Sequence, residues 1–590
     1  MIINNITRNI HDEITKFKQV KLENECNKLA SMNANESKFW AALKKLENNN
    51  QKQQSIPYLH SNNVKIFNDK DKAELFAKAL EEIFTPYSDD QFNNQHKKVV
   101  ENFVKSENLF NYESNNTFDK EFVINELEIV LKSIKPKAKG PNPIANSILK
   151  NLEHNGKLFL LNMLNNSFLN NRIPNEWKYA KITMIPKKPN DSHNIKNYRP
   201  ISLTNTIVKI LEKLIKNRLV SYLEQNNIFI KEQSGFRTKK RTIDNIFFFK
   251  QKCQEAFYSK AKVGNILFDI EKAFDKVWHD GLLFKMHELK IPPRIANWIK
   301  NFISNRIFAV NVNGKLSKEY PIKTGVPQGA ILSPILFLIF INDIPTTISR
   351  YKYVSHSLLF ADDLSHFSFD HNIKYLQKKL QHYLDLLEQW LFNWRLKTAT
   401  NKCTYNIYTE NGKCEDEMQL KLFGSNLNKE DNAKYLGIHL DHNMNMGYHI
   451  KQMKTKCMRK LNFLKILKSK KWATNIQTKV RVYNSMIRSN IDYAAPLLVD
   501  VSETNKKTIE SIQYHGMLQI SNKSKGSSHT EMRKELKMKS INDRNKELKL
   551  KYTANSIQHN PLIKDLYTEH KKFKVNNKIE NNNFSIFNTS

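Results

Sequence analysis

Cysteine is sparse in this 590-residue chain, with five residues at positions 26, 253, 403, 414 and 457. No two form a Cys-x-x-Cys pair and none has histidine companions at zinc spacing, which argues against a disulfide framework and against a zinc knuckle. They read as reduced, structural thiols of an intracellular protein. Long apolar runs are missing too: the longest, Ala330 to Ile341, is interrupted by Ser333 and Pro334 and falls short of a bilayer span. The polar opening Met1-Ile2-Ile3-Asn4-Asn5 does not make a signal peptide. Secretion and a membrane partner are therefore not expected. Acidic side chains are outnumbered, 58 Asp and Glu against 94 Lys and Arg, leaving a net charge of +36. A charge of that size favours a polyanionic partner, of which nucleic acid is the simplest. The length allows about three or four domains and a large core.

What is present centres on the run His356 to Phe369, where Asp362-Asp363 interrupts apolar and aromatic residues. It reads as two short strands with the acids at the turn. Adjacent carboxylates repel each other and are tolerable mainly where a cation neutralises them. For an isolated Asp-Asp pair a solvated turn is the commoner explanation, and a third acid reverses that balance. Asp269 supplies it, at the end of the buried-type strand Gly264 to Phe268 and ahead of a helical start. Acids at a strand end and a neighbouring turn make a hard-oxygen site suited to Mg²⁺, which takes a few carboxylates, substrate phosphates and water. Two such ions about 4 Å apart clamp an in-line phosphoryl displacement.

Three runs, Phe268-Asp269-Ile270-Glu271-Lys272-Ala273-Phe274-Asp275, Thr324-Gly325-Val326-Pro327-Gln328-Gly329 and Phe360-Ala361-Asp362-Asp363, stand in the order of reverse-transcriptase palm motifs. With Asn197-Tyr198-Arg199-Pro200-Ile201-Ser202-Leu203 and Gln233-Ser234-Gly235-Phe236-Arg237 ahead of them, the chain resembles the reverse transcriptase of Jockey-like non-LTR (LINE-type) retrotransposons, most strongly over residues 182–449. The resemblance implies an α+β right-hand polymerase: fingers, a palm with an antiparallel sheet, a helical thumb and a helical N-terminal extension. It implies an RNA-directed DNA polymerase that uses an RNA template, a DNA primer and deoxynucleoside triphosphates, with two Mg²⁺ ions or Mn²⁺ in their place. A nucleic-acid-binding remnant without activity is the alternative. A ribonucleoprotein of nucleus and cytoplasm is the implied setting.

Carried over residue by residue, the resemblance makes Asp269, Asp362 and Asp363 catalytic, with Ile270 joining them around the metals. Arg237 would grip the incoming triphosphate, and Phe274 would be either the steric gate against a ribose 2′-hydroxyl or ordinary core packing. Gln328 and Gly329 would touch the nascent base pair, and Lys402 would protonate the leaving pyrophosphate. Arg199, Gly325, Pro327, the primer-grip run Tyr435-Leu436-Gly437, and Lys454 and Arg459 of the thumb would meet template and primer. Lys187 belongs to a basic turn that could touch the template backbone. Asn142-Pro143 replaces the family's Asp-Gly, and Ala330 its usual Ser.

Read in order, residues 1–117 are expected to form a helical extension with a polar loop, including a helix over Asp69 to Phe84 and an Asn-rich loop from there to about Asn116. Residues 118–165 lead helically into the fingers, and 166–447 hold fingers and palm. A hairpin turns at Asn313-Gly314, an apolar core helix begins near Ile335, and a long amphipathic helix follows Asp370. Residues 448–560 make a helical thumb, whose first helix buries Ile450, Met453, Cys457, Leu461 and Leu464 and exposes lysines, followed by a helix over Val480 to Pro496. Residues 561–590 are expected to be disordered.

Overall fold

The computed structural model describes most of residues 56–577; nearly all of 1–55, all of 578–590 and short internal stretches, the longest 345–353, lie outside it. The helix expected before residue 57 falls almost entirely outside the described residues.

Helix α1 (Asp69–Ile83) starts where Asn68 accepts a hydrogen bond from Lys70 N, and buries Phe76, Ala77 and Leu80. Helix α2 (Asn94–Val104) follows, capped by Asn93. Strands β1 (Tyr179–Pro186) and β2 (Tyr198–Leu203) precede the helices α3 (Thr206–Gln225) and α4 (Thr242–Tyr258). Next come β3 (Lys262–Asp269), β4 (Arg306–Val312), the apolar α5 (Ser333–Ile341), β5 (Ser355–Phe360) and β6 (Asp363–Asp370). The long α6 (Ile373–Trp394), β7 (Thr404–Tyr408), β8 (Asn428–Lys429) and α7 (Gly447–Lys468) lead to α8 (Glu503–Ser521), α9 (Ile541–His559) and α10 (Pro561–Asn576).

Two five-stranded sheets carry the architecture. One runs β8-β7-β3-β6-β5, with β3 central and antiparallel to both β6 and β7. The other is built on β2-β1-β4, to whose outer strand the short segments Lys315–Leu316 and Tyr320–Ile322 pair. α5 is buried on every side, and α6 lays Leu376, Leu380, Tyr383, Leu384 and Leu387 into the same core. The α+β class and the antiparallel sheet expected from the resemblance are both present.

Four local expectations need correction. The Asn-rich segment to residue 116 is not simply a loop, because Phe92, Val100, Val104, Leu109 and Phe110 are buried and α2 runs through it. Its few apolar residues find a groove, and Arg395 at the end of α6 donates to the carbonyl of Tyr87 (3.0 Å). After Asp269 the chain makes turns, with Lys272 at φ 48°, and becomes helical only at His279. The helix from Val480 widens into a π turn over Asn484–Arg488, resumes as α-helix over Ser489–Asp492 and stops there, short of Pro496, which lies in a separate 3-10 turn. Residues 561–576 form α10, whose Leu562, Ile563 and Leu566 are buried: a polar average concealed one apolar stripe.

Candidate active site

β5 and β6 form a tight hairpin in which Phe360 pairs with Asp363, leaving Ala361 and Asp362 as its two-residue turn. Ala361 adopts φ 59°, the left-handed backbone that such turns favour. The turn is held from outside. Gln233, 2 % exposed, accepts from Ala361 N (3.0 Å) and Gly235 N (2.8 Å) through one side-chain oxygen, and Ser234 N donates to Leu359 O (2.9 Å). A side chain on Gly235 would collide with the Ala361 backbone. The Gln-Ser-Gly run is therefore a clamp on the acidic turn, a positional role that the residue types alone did not reveal.

Register brings the acids together. Asp269, at the end of β3, pairs with Asp363 across the sheet, so Asp362 at the turn lies beside it. Asp269 and Asp362 both line a pocket of about 820 Å³. Asp363 instead lines a second cleft of about 360 Å³, which it shares with Asp269, Lys402, Glu430 and Tyr435 to Gly437. Asp362 belongs to the turn whereas Asp363 opens β6, and that separates the two neighbours. Among the described residues no three His, Cys, Asp or Glu side chains gather tightly enough to hold a metal. Asp269 and Asp362 thus share the larger pocket, with Ile270 on its wall, while Asp363, paired with Asp269 across the sheet, opens onto the adjoining cleft.

The charges strain against one another. Burial raises the Asp362 pKa and the nearby Asp269 adds to the rise, while Arg199 opposes it. Burial, then Asp362 and Asp269, push Asp363 up to about 6. Two hard carboxylates facing open space fit a divalent ion of the Mg²⁺ type, which needs only one or two protein carboxylates beside substrate phosphates. Cations line the same pocket: burial lowers the Lys187 pKa, followed by the proximity of Lys402, Arg199 and Lys272. Lys402 Nζ stands 2.7 Å from Asp269 Oδ2. Arg199, expected on template and primer, lines the pocket instead, as do Lys187 and Lys272, neither of which had been assigned to the nucleotide.

The Gly325 loop is welded to its surroundings. Gly325 N donates to Val277 O and Val326 N to Phe274 O (both 2.8 Å), Ser202 N to Gln328 O (2.7 Å), and Ser333 Oγ to Pro327 O (2.8 Å). Gly325 (φ 88°) has no room for a side chain because the Asp275 carbonyl fills that space, and Gly329 (φ 118°) abuts Ser202 O. Gly325 and Pro327 are buried and off the pocket wall, so their expected contact with template or primer is corrected to a scaffold role. Gln328, Gly329 and Phe274 do line the pocket. Phe274 stacks on Phe337 of α5 at 4.8 Å and meets Phe236 edge-on. Substituting Gly325 with Ala should cost roughly 2 kcal/mol or more in thermal unfolding, since the new Cβ adds strain at positive φ to a collision with backbone.

Arg237 does not reach the pocket. Its guanidinium, 7 % exposed, pairs with both oxygens of Glu224 (2.8 and 2.6 Å), donates to the carbonyls of Ile230 and Gln233, and lies over the Phe229 ring. The expected grip on triphosphate is corrected: every arm of the fork is spent on holding the Gln233 segment. Arg237→Ala should therefore lower stability by about 2–3 kcal/mol, the range for breaking a largely buried pair whose acid keeps some solvent. A melting curve would read it, and a change confined to nucleotide KM would contradict it.

Around the smaller cleft, Leu436 (φ 45°) and Gly437 (φ 86°) turn the hairpin between Lys434–Tyr435 and Ile438–His439. Tyr493 from the following helical region donates to Leu436 O (2.7 Å). On α7, Ile450, Met453, Cys457, Leu461 and Leu464 are buried, Lys451, Lys456, Arg459 and Lys465 are exposed, and Lys454 is half-buried.

Residues 185–440 match the family model described as reverse transcriptase (RNA-dependent DNA polymerase). The chain is 27% identical over 503 residues to the RNA-directed DNA polymerase from mobile element jockey of Drosophila melanogaster, covering 84% of this chain and 54% of that protein. It is 28% identical over 401 residues to the probable RNA-directed DNA polymerase from transposon BS of the same fly, covering 67% and 44%. Over 248 residues it is 23% identical to the retrovirus-related Pol polyprotein from type-1 retrotransposable element R2 of Popillia japonica, covering 40% and 34%. The chain spans about half the length of the jockey protein. Ordered motifs, the acidic hairpin against β3 and these likenesses converge: over residues 185–440 the chain is similar to reverse transcriptases, and over most of its length to the RNA-directed DNA polymerases of jockey mobile elements.

Proposed function

We propose that this chain is an RNA-directed DNA polymerase that extends a DNA 3′-end on an RNA template by two-metal-ion nucleotidyl transfer. The observation that carries the reading is Asp269 and Asp362 facing one pocket while Lys187, Arg199 and Lys272 crowd its rim. Magnesium, or manganese, held by Asp269 and Asp362 beside Ile270 would neutralise the charge that develops on the attacking and leaving oxygens.

The protein's own groups do the rest by placement. Lys187, Arg199 and Lys272 draw in the triphosphate, whose charge relieves their mutual repulsion. Lys402, beside Asp269, can donate a proton to the departing pyrophosphate. Asp363 and the Tyr435 to Gly437 hairpin flank the cleft where the primer terminus would sit. Arg459 and Lys454 on α7, with their lysine neighbours, follow the duplex phosphates, so binding should weaken steeply with salt.

Primer extension on an RNA template, with Asp269→Asn as control, tests the reading. Template-dependent products from the native chain and none from the variant are expected, whereas equal signals from both would leave a nucleic-acid-binding remnant. Phe274→Ala tests the sugar gate in the same assay. Ribonucleotide incorporation should rise by on the order of tenfold or more relative to deoxynucleotide, while stability drops by about 2–3 kcal/mol, because this half-buried ring also packs on Phe337. A loss of stability with no change in sugar preference would make it a core residue only.

A further inference from the structure

The first turn of α4 bonds both to the acidic hairpin and to the hairpin of Tyr435 to Gly437. Asn245, fully buried, donates from Nδ2 to the carbonyl of Leu359 (3.0 Å) and to the Tyr435 hydroxyl (3.4 Å). Leu359 lies on the edge strand β5, just ahead of the Ala361-Asp362 turn, and its carbonyl also accepts from Ser234 N (2.9 Å). Tyr435 is 3 % exposed and lines the smaller cleft beside Asp363. A second tie runs through Thr242, whose hydroxyl lies 2.8 Å from that of Tyr493, which in turn donates to Leu436 O (2.7 Å). A phenol has one proton, so Thr242 is the donor of the first of these bonds.

A carbonyl only accepts, whereas the Asn side chain has a donor end and an acceptor end, so Leu359 O fixes which way the Asn245 amide points. The flipped amide would set oxygen against oxygen. Asn245 Oδ1 is then buried without a hydrogen-bond partner among the described residues, a cost that a leucine of similar shape would not carry. Its two bonds, rather than its packing, account for the residue. They join the hairpin that carries Asp362 to the hairpin that flanks the cleft proposed for the primer terminus, and a misplacement of about 1 Å between reacting groups can cost on the order of a hundredfold in rate. We infer that Asn245 is a positioning residue: with Thr242 it makes the first turn of α4 a brace that sets the spacing between the acid pair and the primer terminus, an inference that rests on the polymerase reading above.

Single-turnover extension at saturating nucleotide, on an RNA template with a matched or a mismatched primer end, reads the brace. Loss of folded protein lowers both rates alike and leaves their ratio unmoved. A loosened spacing costs a well-aligned matched end more than a mismatched end that is already out of line. Tyr435→Phe keeps the ring and removes the tie, so the ratio of matched to mismatched rates should fall about tenfold, the scale of one hydrogen bond, with KM for the nucleotide unchanged. Asn245→Leu should lower the ratio at least as far, and the double variant no further than Asn245→Leu alone, because both act through one brace. Equal losses on the two primer ends, or losses that multiply in the double variant, would overturn the inference and leave the polymerase reading standing. An unchanged ratio in Tyr435→Phe would overturn it even where Asn245→Leu fails to fold. A native chain that extends neither primer would bring down the polymerase reading and this inference with it.

Discussion

Asp362→Asn is expected to lower the rate of primer extension by on the order of 10³-fold, whereas Asp363→Asn should cost ten- to a hundredfold less than that, because only Asp362 shares the pocket with Asp269. The two residues are adjacent and chemically identical, so composition cannot separate them. Their difference comes from strand geometry: Asp362 sits in the turn beside Asp269, and Asp363 begins β6 on the face of the smaller cleft. Both substitutions are isosteric and should leave the melting temperature nearly unchanged or slightly raised, since each relieves like-charge repulsion. Single-turnover extension at saturating nucleotide checks the contrast. Equal loss from the two variants would mean that Asp363 reaches the reacting groups despite its placement.

Truncation after Asn560 should destabilise the region around α4 severely. It removes Leu562, Ile563 and Leu566, which together account for roughly 5–9 kcal/mol of apolar burial, comparable to the net stability of a whole domain. It also strips partners from α4: His570 lies 2.9 Å from Gln251 Nε2, and Glu569 pairs with Lys252 (2.8 Å). Soluble yield and thermal unfolding measure the effect, and little change in either would show that α10 is dispensable. By contrast, Lys231→Ala breaks only the half-exposed pair with Asp565 and should move stability by less than about 1 kcal/mol. The α9 helix contributes more locally. Tyr552 and the adjoining Asn560 donate to the fully buried Asp244 (2.7 and 2.9 Å), which otherwise accepts only from Arg241 N (2.8 Å).

Local chemistry made several features legible from residues alone. The hairpin around Asp362, the strand ending at Asp269, the stripe of α6 and the apolar α5 are each written within one period of two or 3.6 residues, and the nearest neighbours dictate them. Ordered motifs added the family likeness and the choice of acids. The facing of Asp363, the partner of Arg237 and the shelter found by residues 85–116 and 561–576 belonged to the tertiary structure. Each depends on which group comes alongside from a distant segment: Glu224 was as available on paper as any phosphate, and an average polarity cannot say whether a groove waits for three leucine-sized side chains. Sequence alone determined where the acidic hairpin, the strand ending at Asp269, α5 and α6 would lie; only the assembled fold decided which charges meet, which remain free for substrate and which polar segments become helical and buried, because desolvation and pairing are set by neighbours that the chain order does not name.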